Sequence, residues 1–182
     1  MDPINKAIDI LKSGGVILYQ TETVWGLGCL TNNLEGINKI YSIKGRDFNK
    51  KLILILENDL LLKRYVREIP EIVWDIIDQA EFQPTIVYPN AINLPDILVE
   101  KDGSIAIRIV KQLELLKRIK QPLTATSANK SGDPTPKKLE QVNSEILSKV
   151  DFILDLPKIK CTEKPSSILK FETNGEIKII RK

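Results

Sequence analysis

Apolar residues recur along the chain with two alternating spacings. Ile4, Ala7, Ile8 and Leu11 repeat at three- and four-residue steps, which puts them on one face of a helix over residues 2–13 that Gly14-Gly15 stop. Leu34, Ile37, Ile40 and Tyr41 repeat the pattern over 34–43, behind an Asn33 suited to capping. Further helices are expected near 58–65, 69–79 and 111–119, and one that Thr135 caps, with Pro136 in its first turn, running to about 149. Between them lie short apolar runs of strand length: Val16–Tyr19, Thr85–Tyr88, Ser104–Ile109, Leu123–Thr126 and Phe152–Leu154. Leu52–Leu56 is apolar throughout, as a central strand covered on both faces would be. At the end, two apolar segments, Ser167–Phe171 and Glu176–Ile180, flank Asn174-Gly175, the strongest short signal for a β-hairpin. Strands alternating with helices and closing on a hairpin predict one α/β domain over residues 1–182, with a twisted mixed parallel/antiparallel sheet flanked by helices. No repeat or long linker interrupts it, and residues 156–165 form the most loop-like connection.

Composition narrows the chemistry. The 182 residues hold 27 Lys+Arg, 24 Asp+Glu, two Cys and no His. Without histidine there is no Ser-His-Asp triad, no Cys-His pair and no imidazole base. Cys29 and Cys161 are too few for a zinc cluster or a disulfide framework and read as thiols in a reducing compartment. A net charge of +3 permits a nucleic-acid or nucleotide partner without requiring one. Only six of the basic residues are arginines, so each arginine is a candidate for a specific task. No stretch approaches the roughly 18 apolar residues of a membrane span. Met1-Asp2-Pro3 lacks the basic flank and apolar core of a signal peptide. A cytoplasmic protein is expected.

Four segments carry candidate chemistry. In Thr21-Glu22-Thr23-Val24-Trp25-Gly26-Leu27-Gly28, a strand end runs into hydroxyls, a carboxylate and glycines. That pattern suits a polar substrate at the edge of an α/β sheet, or a polar turn between two strands. Lys44 and Arg46 flank Gly45 at a helix end. In extended chain they would point the same way and clamp one anion; alternatively they belong to a solvated basic turn. Leu123–Thr126 opens into Ser127-Ala128-Asn129-Lys130-Ser131-Gly132, whose small residues expose N–H groups that suit phosphate oxygens, or simply cap a loop. Arg108 ends an apolar strand, a costly place for a guanidinium unless an anion meets it: a structural Asp or Glu, or the carboxylate of a bound amino acid.

Taken in this order, from Gly14-Gly15 to Arg181, these segments resemble the threonylcarbamoyl-AMP synthase family, the YrdC-like domain in its short form. The resemblance implies that L-threonine, bicarbonate and ATP are joined to give threonylcarbamoyl-AMP and pyrophosphate. This is the first step toward N6-threonylcarbamoyladenosine at position 37 of tRNA, which would meet this protein directly or through a downstream transfer complex. It implies threonine binding by Thr21, Thr23, Arg108 and Ser166, and a catalytic tetrad of Lys44, Arg46, Ser127 and Asn129 around the phosphates and carbamate. The same tetrad, with Ser104, Thr135 and Arg181, would contact ATP. Mg²⁺ would ride mainly on the phosphates, with no protein metal site and no membrane partner. The chain departs from the family pattern at Gln20, Ile55, Phe82-Gln83-Pro84, Val110 and Lys182. A non-catalytic module binding double-stranded RNA or tRNA is the alternative, and carbamoyl transfer in hydrogenase maturation ranks after it.

Overall fold

A computed structural model describes residues 2–81, 83–156 and 165–182; Phe82, Cys161 and most of the 156–165 connection lie outside them. Helix α1 (Pro3–Lys12) opens where Asp2 accepts a hydrogen bond from the Ile4 N–H at 2.9 Å, with Pro3 in its first turn. Its buried face is Ile4, Ala7, Ile8 and Leu11, as the periodicity predicts. Helix α2 (Leu34–Lys44) starts on Asn33, whose side chain accepts from Gly36 N–H, and ends at Gly45 in the left-handed conformation, φ 57°. Leu34, on the predicted apolar face, is in the first turn and exposed. The remaining helices are α3 (Ile72–Gln79), α4 (Glu114–Ile119) and α5 (Ser144–Lys149).

The strands are β1 (Ile17–Gln20), β2 (Trp25–Gly28), β3 (Ile53–Leu56), β4 (Thr85–Tyr88), β5 (Ile105–Ile109), β6 (Leu123–Ser127), β7 (Phe152–Leu154), β8 (Ile168–Phe171) and β9 (Ile177–Arg181). They form one sheet in the order β7-β1-β2-β6-β3-β5-β4-β8-β9. The pairs β1·β7, β3·β5 and β4·β8 are parallel and the others antiparallel, which makes the sheet mixed. Two apolar clusters cover its faces. One joins Leu54 and Leu56 to Ile37 and Ile40 of α2, Val73 and Ile77 of α3 and Ile146 of α5. The other joins Ile55 to the buried residues of α1 and to Leu115, Leu116 and Ile119 of α4. The uninterrupted apolar run in β3 therefore marks a strand buried on both sides. Among the described residues no helix is long and apolar enough to cross a membrane. Cys29 is buried, and its thiol contacts the Thr124 hydroxyl.

Three expectations are corrected. Trp25–Gly28 is a strand, held between β1 and β6, with Tyr19 facing Gly26 and Gly26 facing Ser127 across it. Residues 58–65 form a 3₁₀ helix over Asp59–Arg64 rather than an α-helix. Thr135 does not cap a helix. The Gln141 side chain accepts the N–H groups of Lys137 and Lys138, holding that stretch as loop around a short 3₁₀ turn, Leu139–Gln141. The helix start is Asn143, which caps α5 by accepting from Glu145 N–H at 2.8 Å. Pro136 also biases Thr135 toward extended backbone.

Candidate active site

A cavity of about 210 Å³ opens on the face of the sheet beside α1 and α4. Its floor is apolar, from Tyr19, Ile53, Ile55, Val110 and Ala125. Around that floor stand Thr21, Thr23, Arg46, Arg108, Ser127, Thr135, Ser166 and Arg181, all predicted site residues from distant parts of the chain.

Each has a local reason for its position. The β1–β2 turn is closed by Thr21 N–H on Val24 C=O at 3.2 Å, and it tucks both threonine side chains inward, their hydroxyls 2.9 Å apart. Arg108 leaves β5 between β3 and β4, opposite Ile55 and Thr85. Its Nη1 donates to Thr23 Oγ1 at 2.9 Å and its Nη2 to Glu22 Oε1 at 2.8 Å. Both partners of this ion pair are largely buried, at 5% and 14% side-chain exposure. The structural ion pair and the cavity position thus occur together at one arginine. Ser166 Oγ lies 2.7 Å from Thr85 Oγ1, and its carbonyl accepts from Arg181 Nε and Nη2 at 3.0 and 2.6 Å. Arg46 is fixed by Nε on Lys50 C=O, Nη2 on Lys51 C=O and Nη1 on Thr126 Oγ1.

Lys44, Asn129 and Ser104 are placed outside the cavity wall. The extended backbone expected between Lys44 and Arg46 is absent, because Gly45 turns left-handed there. Lys44 is 2% exposed, and its ammonium donates to the carbonyls of Ser127 and of Asn129, the latter at 2.6 Å. It ties the end of α2 to the end of β6. Burial, and Arg46 beside it, push the Lys44 ammonium down to about 7. Asn129 accepts from Ser127 Oγ and donates to Asp133 C=O at 2.7 Å, fixing the Ser127 hydroxyl and the following loop. Ser104 is buried and donates to Asp102 Oδ1 at 2.6 Å, beside a separate groove shared with Lys51 and Lys170.

Burial lowers the proton affinity of Arg46, Arg108 and Arg181, and Glu22 opposes that at Arg108. No carboxylate stands on the described cavity wall. The cavity joins an apolar floor to three guanidiniums and several hydroxyls. Sequence reasoning gave no role to Glu22, Lys51 or Tyr19. Only for Glu22 was there a signal, since an arginine at a strand end needs an anion and Glu22 lies between two candidate residues.

The Sua5, YciO and YrdC family model, described as telomere recombination, matches residues 9–182. The chain belongs to this family. Among relatives of the Sua5/YciO/YrdC chain are the threonylcarbamoyl-AMP synthases of Pseudoalteromonas translucida and Coxiella burnetii. The first is 34% identical over 180 residues and the second 31% over 178, and each match covers 96% of this chain and 95% of the relative. P. abyssi Sua5, solved in complex with L-threonine, superposes with a TM-score of 0.82 at 26% identity over 92% of this chain. The chain spans 50% of that Sua5. E. coli YciO superposes with a TM-score of 0.81 at 20% identity, covering 98% of this chain and 88% of YciO, and shares the fold.

Proposed function

We propose that the protein is an ATP-dependent nucleotidyltransferase of the cytoplasm, an L-threonylcarbamoyladenylate synthase that joins L-threonine, bicarbonate and ATP. The observation that carries this reading is the grouping of Arg46, Arg108 and Arg181 around one cavity whose described wall has hydroxyls and no carboxylate. Such a wall suits an amino-acid carboxylate and a polyphosphate together. The names of the relatives and the threonine bound to P. abyssi Sua5 support the choice of substrates.

In this reading Arg108 receives the threonine carboxylate, while Thr21, Thr23 and Ser166 meet the substrate's polar groups. Bicarbonate takes up a proton and loses water to give CO₂; the amine, having lost its proton to solvent or bicarbonate, attacks that CO₂ and gives a second proton to solvent, leaving a carbamate. A carbamate oxygen then attacks the α-phosphorus of ATP. A new P–O bond forms, the bond to the β-phosphate oxygen breaks, and pyrophosphate leaves. Positioning and charge stabilisation do most of the work in such a transfer, which suits a chain without histidine. Arg46 and Arg181 stand where phosphate charge is held. Lys44 and Asn129 act from behind, fixing the β6 end and the Ser127 hydroxyl.

Among the described residues no group of three or more Asp, Glu, Cys or His is placed to hold a metal. The donor set fits a magnesium ion carried on the nucleotide, with the Ser127 and Thr135 hydroxyls as this chain's neutral oxygen donors. When bound, that ion would neutralise phosphate charge. Product would pass to a threonylcarbamoyl-transfer step on tRNA. A phosphate-reading RNA module fits less well, because Arg108 is buried beyond the reach of a duplex backbone.

The test is pyrophosphate release from ATP, measured with threonine and bicarbonate each present or omitted. Release that requires both is expected. Release indifferent to threonine would overturn the reading.

A further inference from the structure

Arg108 is gripped at both terminal nitrogens, Nη1 by the Thr23 hydroxyl and Nη2 by the Glu22 carboxylate. A planar guanidinium held at two points cannot swing. Its third nitrogen, Nε, is closed to solvent and has no partner among the described residues, so what Arg108 can offer a ligand is the second N–H of each terminal nitrogen.

Glu22 is not on the cavity wall. It lines a neighbouring groove with Lys111 and Gln112, and reaches Arg108 from there. Thr23 is itself held by Thr21, so the contacts run Glu22–Arg108–Thr23–Thr21. Two residues of one turn thus aim a guanidinium that arrives from a strand 86 positions later.

We propose that Glu22 is a positioning residue for amino-acid recognition: by holding Nη2 from the adjacent groove, it keeps the Arg108 guanidinium in place on the cavity wall for the carboxylate of the incoming substrate. The proposal rests on the threonine-binding reading above. The geometry of the Glu22 acceptor oxygen matters in it, and the negative charge does not. Two substitutions separate these. Glu22→Gln keeps an oxygen at the same reach and removes the charge. Glu22→Asp keeps the charge and withdraws the oxygen by about 1.5 Å, one C–C bond.

The measurements are calorimetric threonine binding, together with KM for threonine, KM for ATP and kcat. Glu22→Gln should stay within about threefold of wild type in threonine Kd and KM. Glu22→Asp should weaken threonine about tenfold, which corresponds to ~1.4 kcal/mol, with ATP KM and saturated kcat nearly unchanged. Unaltered threonine binding in Glu22→Asp would overturn the proposal, and so would a loss in Glu22→Gln equal to that in Glu22→Asp. A parallel rise in ATP KM would mark general distortion and also overturn it. If the wild-type protein binds no threonine, the synthase reading falls and takes this proposal with it. Should Glu22→Asp fail to fold, Glu22→Met, which keeps the reach and removes the acceptor, takes its place, and unaltered threonine binding there would overturn the proposal.

Discussion

Lys44 is almost wholly out of water, with its ammonium against two carbonyls and close to a guanidinium. Its pKa in the folded chain, about 7, lies below the ordinary value of 10.5. Between those two values the unfolded chain carries a proton at this position that the folded chain lacks. Stability should therefore rise with pH across that window, by at most about 1.4 kcal/mol per pH unit from this group. Denaturant unfolding from pH 7 to 10, compared with Lys44→Met, should show that slope in wild type and its loss in the variant. Arg108 poses a different trade. Removing it outright would leave Glu22 without its cation in a largely buried place, a change that commonly costs about 3–5 kcal/mol. The informative substitution is Arg108→Lys, which keeps the charge and loses the planar fork. Threonine KM should rise severalfold or more, with ATP KM little changed; steady-state kinetics with each substrate varied in turn would check it.

Strand β2 shows how an element forms without strand-forming composition. Gly26 and Gly28 have poor strand propensity, and the segment reads as loop. Pairing with β1 and β6 on its two sides imposes the strand, and the glycines are there because neighbours crowd them. A Cβ on Gly28 would lie 2.5 Å from Thr124 C=O and 2.9 Å from the Tyr19 ring. Gly28→Ala should lower stability by about 1–3 kcal/mol, seen as a melting temperature several degrees lower. Gly45→Ala meets nothing within 4 Å, but its φ of +57° costs an alanine roughly 1–2 kcal/mol. Because Lys44 and Arg46 flank it, Gly45→Ala should lose more activity than its smaller melting shift suggests. Faces set by local periodicity were legible in the sequence: α1, α2, the doubly buried β3 and the terminal hairpin. So was the placing of candidate residues at strand ends, such as Thr21, Arg108 and Ser127, which line one cavity. Features decided by distant partners were not. The direction of Lys44 depends on carbonyls more than 80 positions away, and Glu22 meets its cation only when β5 arrives. The helix placed at Thr135 failed because Asn143, a better cap, lies further along the chain.

At the scale of the molecule, the sheet order interleaves early and late strands, so the cavity draws on segments from Thr21 to Arg181. Its wall is completed by the last hairpin, which pairs β8 with β4 and brings Ser166 and Arg181. Deleting residues 166–182 would expose the edge of β4 and remove both side chains. The shortened chain should aggregate and show no threonine-dependent pyrophosphate release; light scattering on a size-exclusion column and the release assay would check this. The same late pairing has a consequence during translation. Thr85 emerges from the ribosome 81 residues ahead of its partner Ser166. At about 5–20 residues per second, the open side of β4 waits roughly 4–16 s for its neighbour. Through that interval the nascent chain presents an unpaired strand that invites intermolecular pairing and a holding chaperone. The pocket can bind nothing until almost the whole sequence has been made, so substrate abundance cannot rescue folding of the early intermediates and can act only on the finished fold.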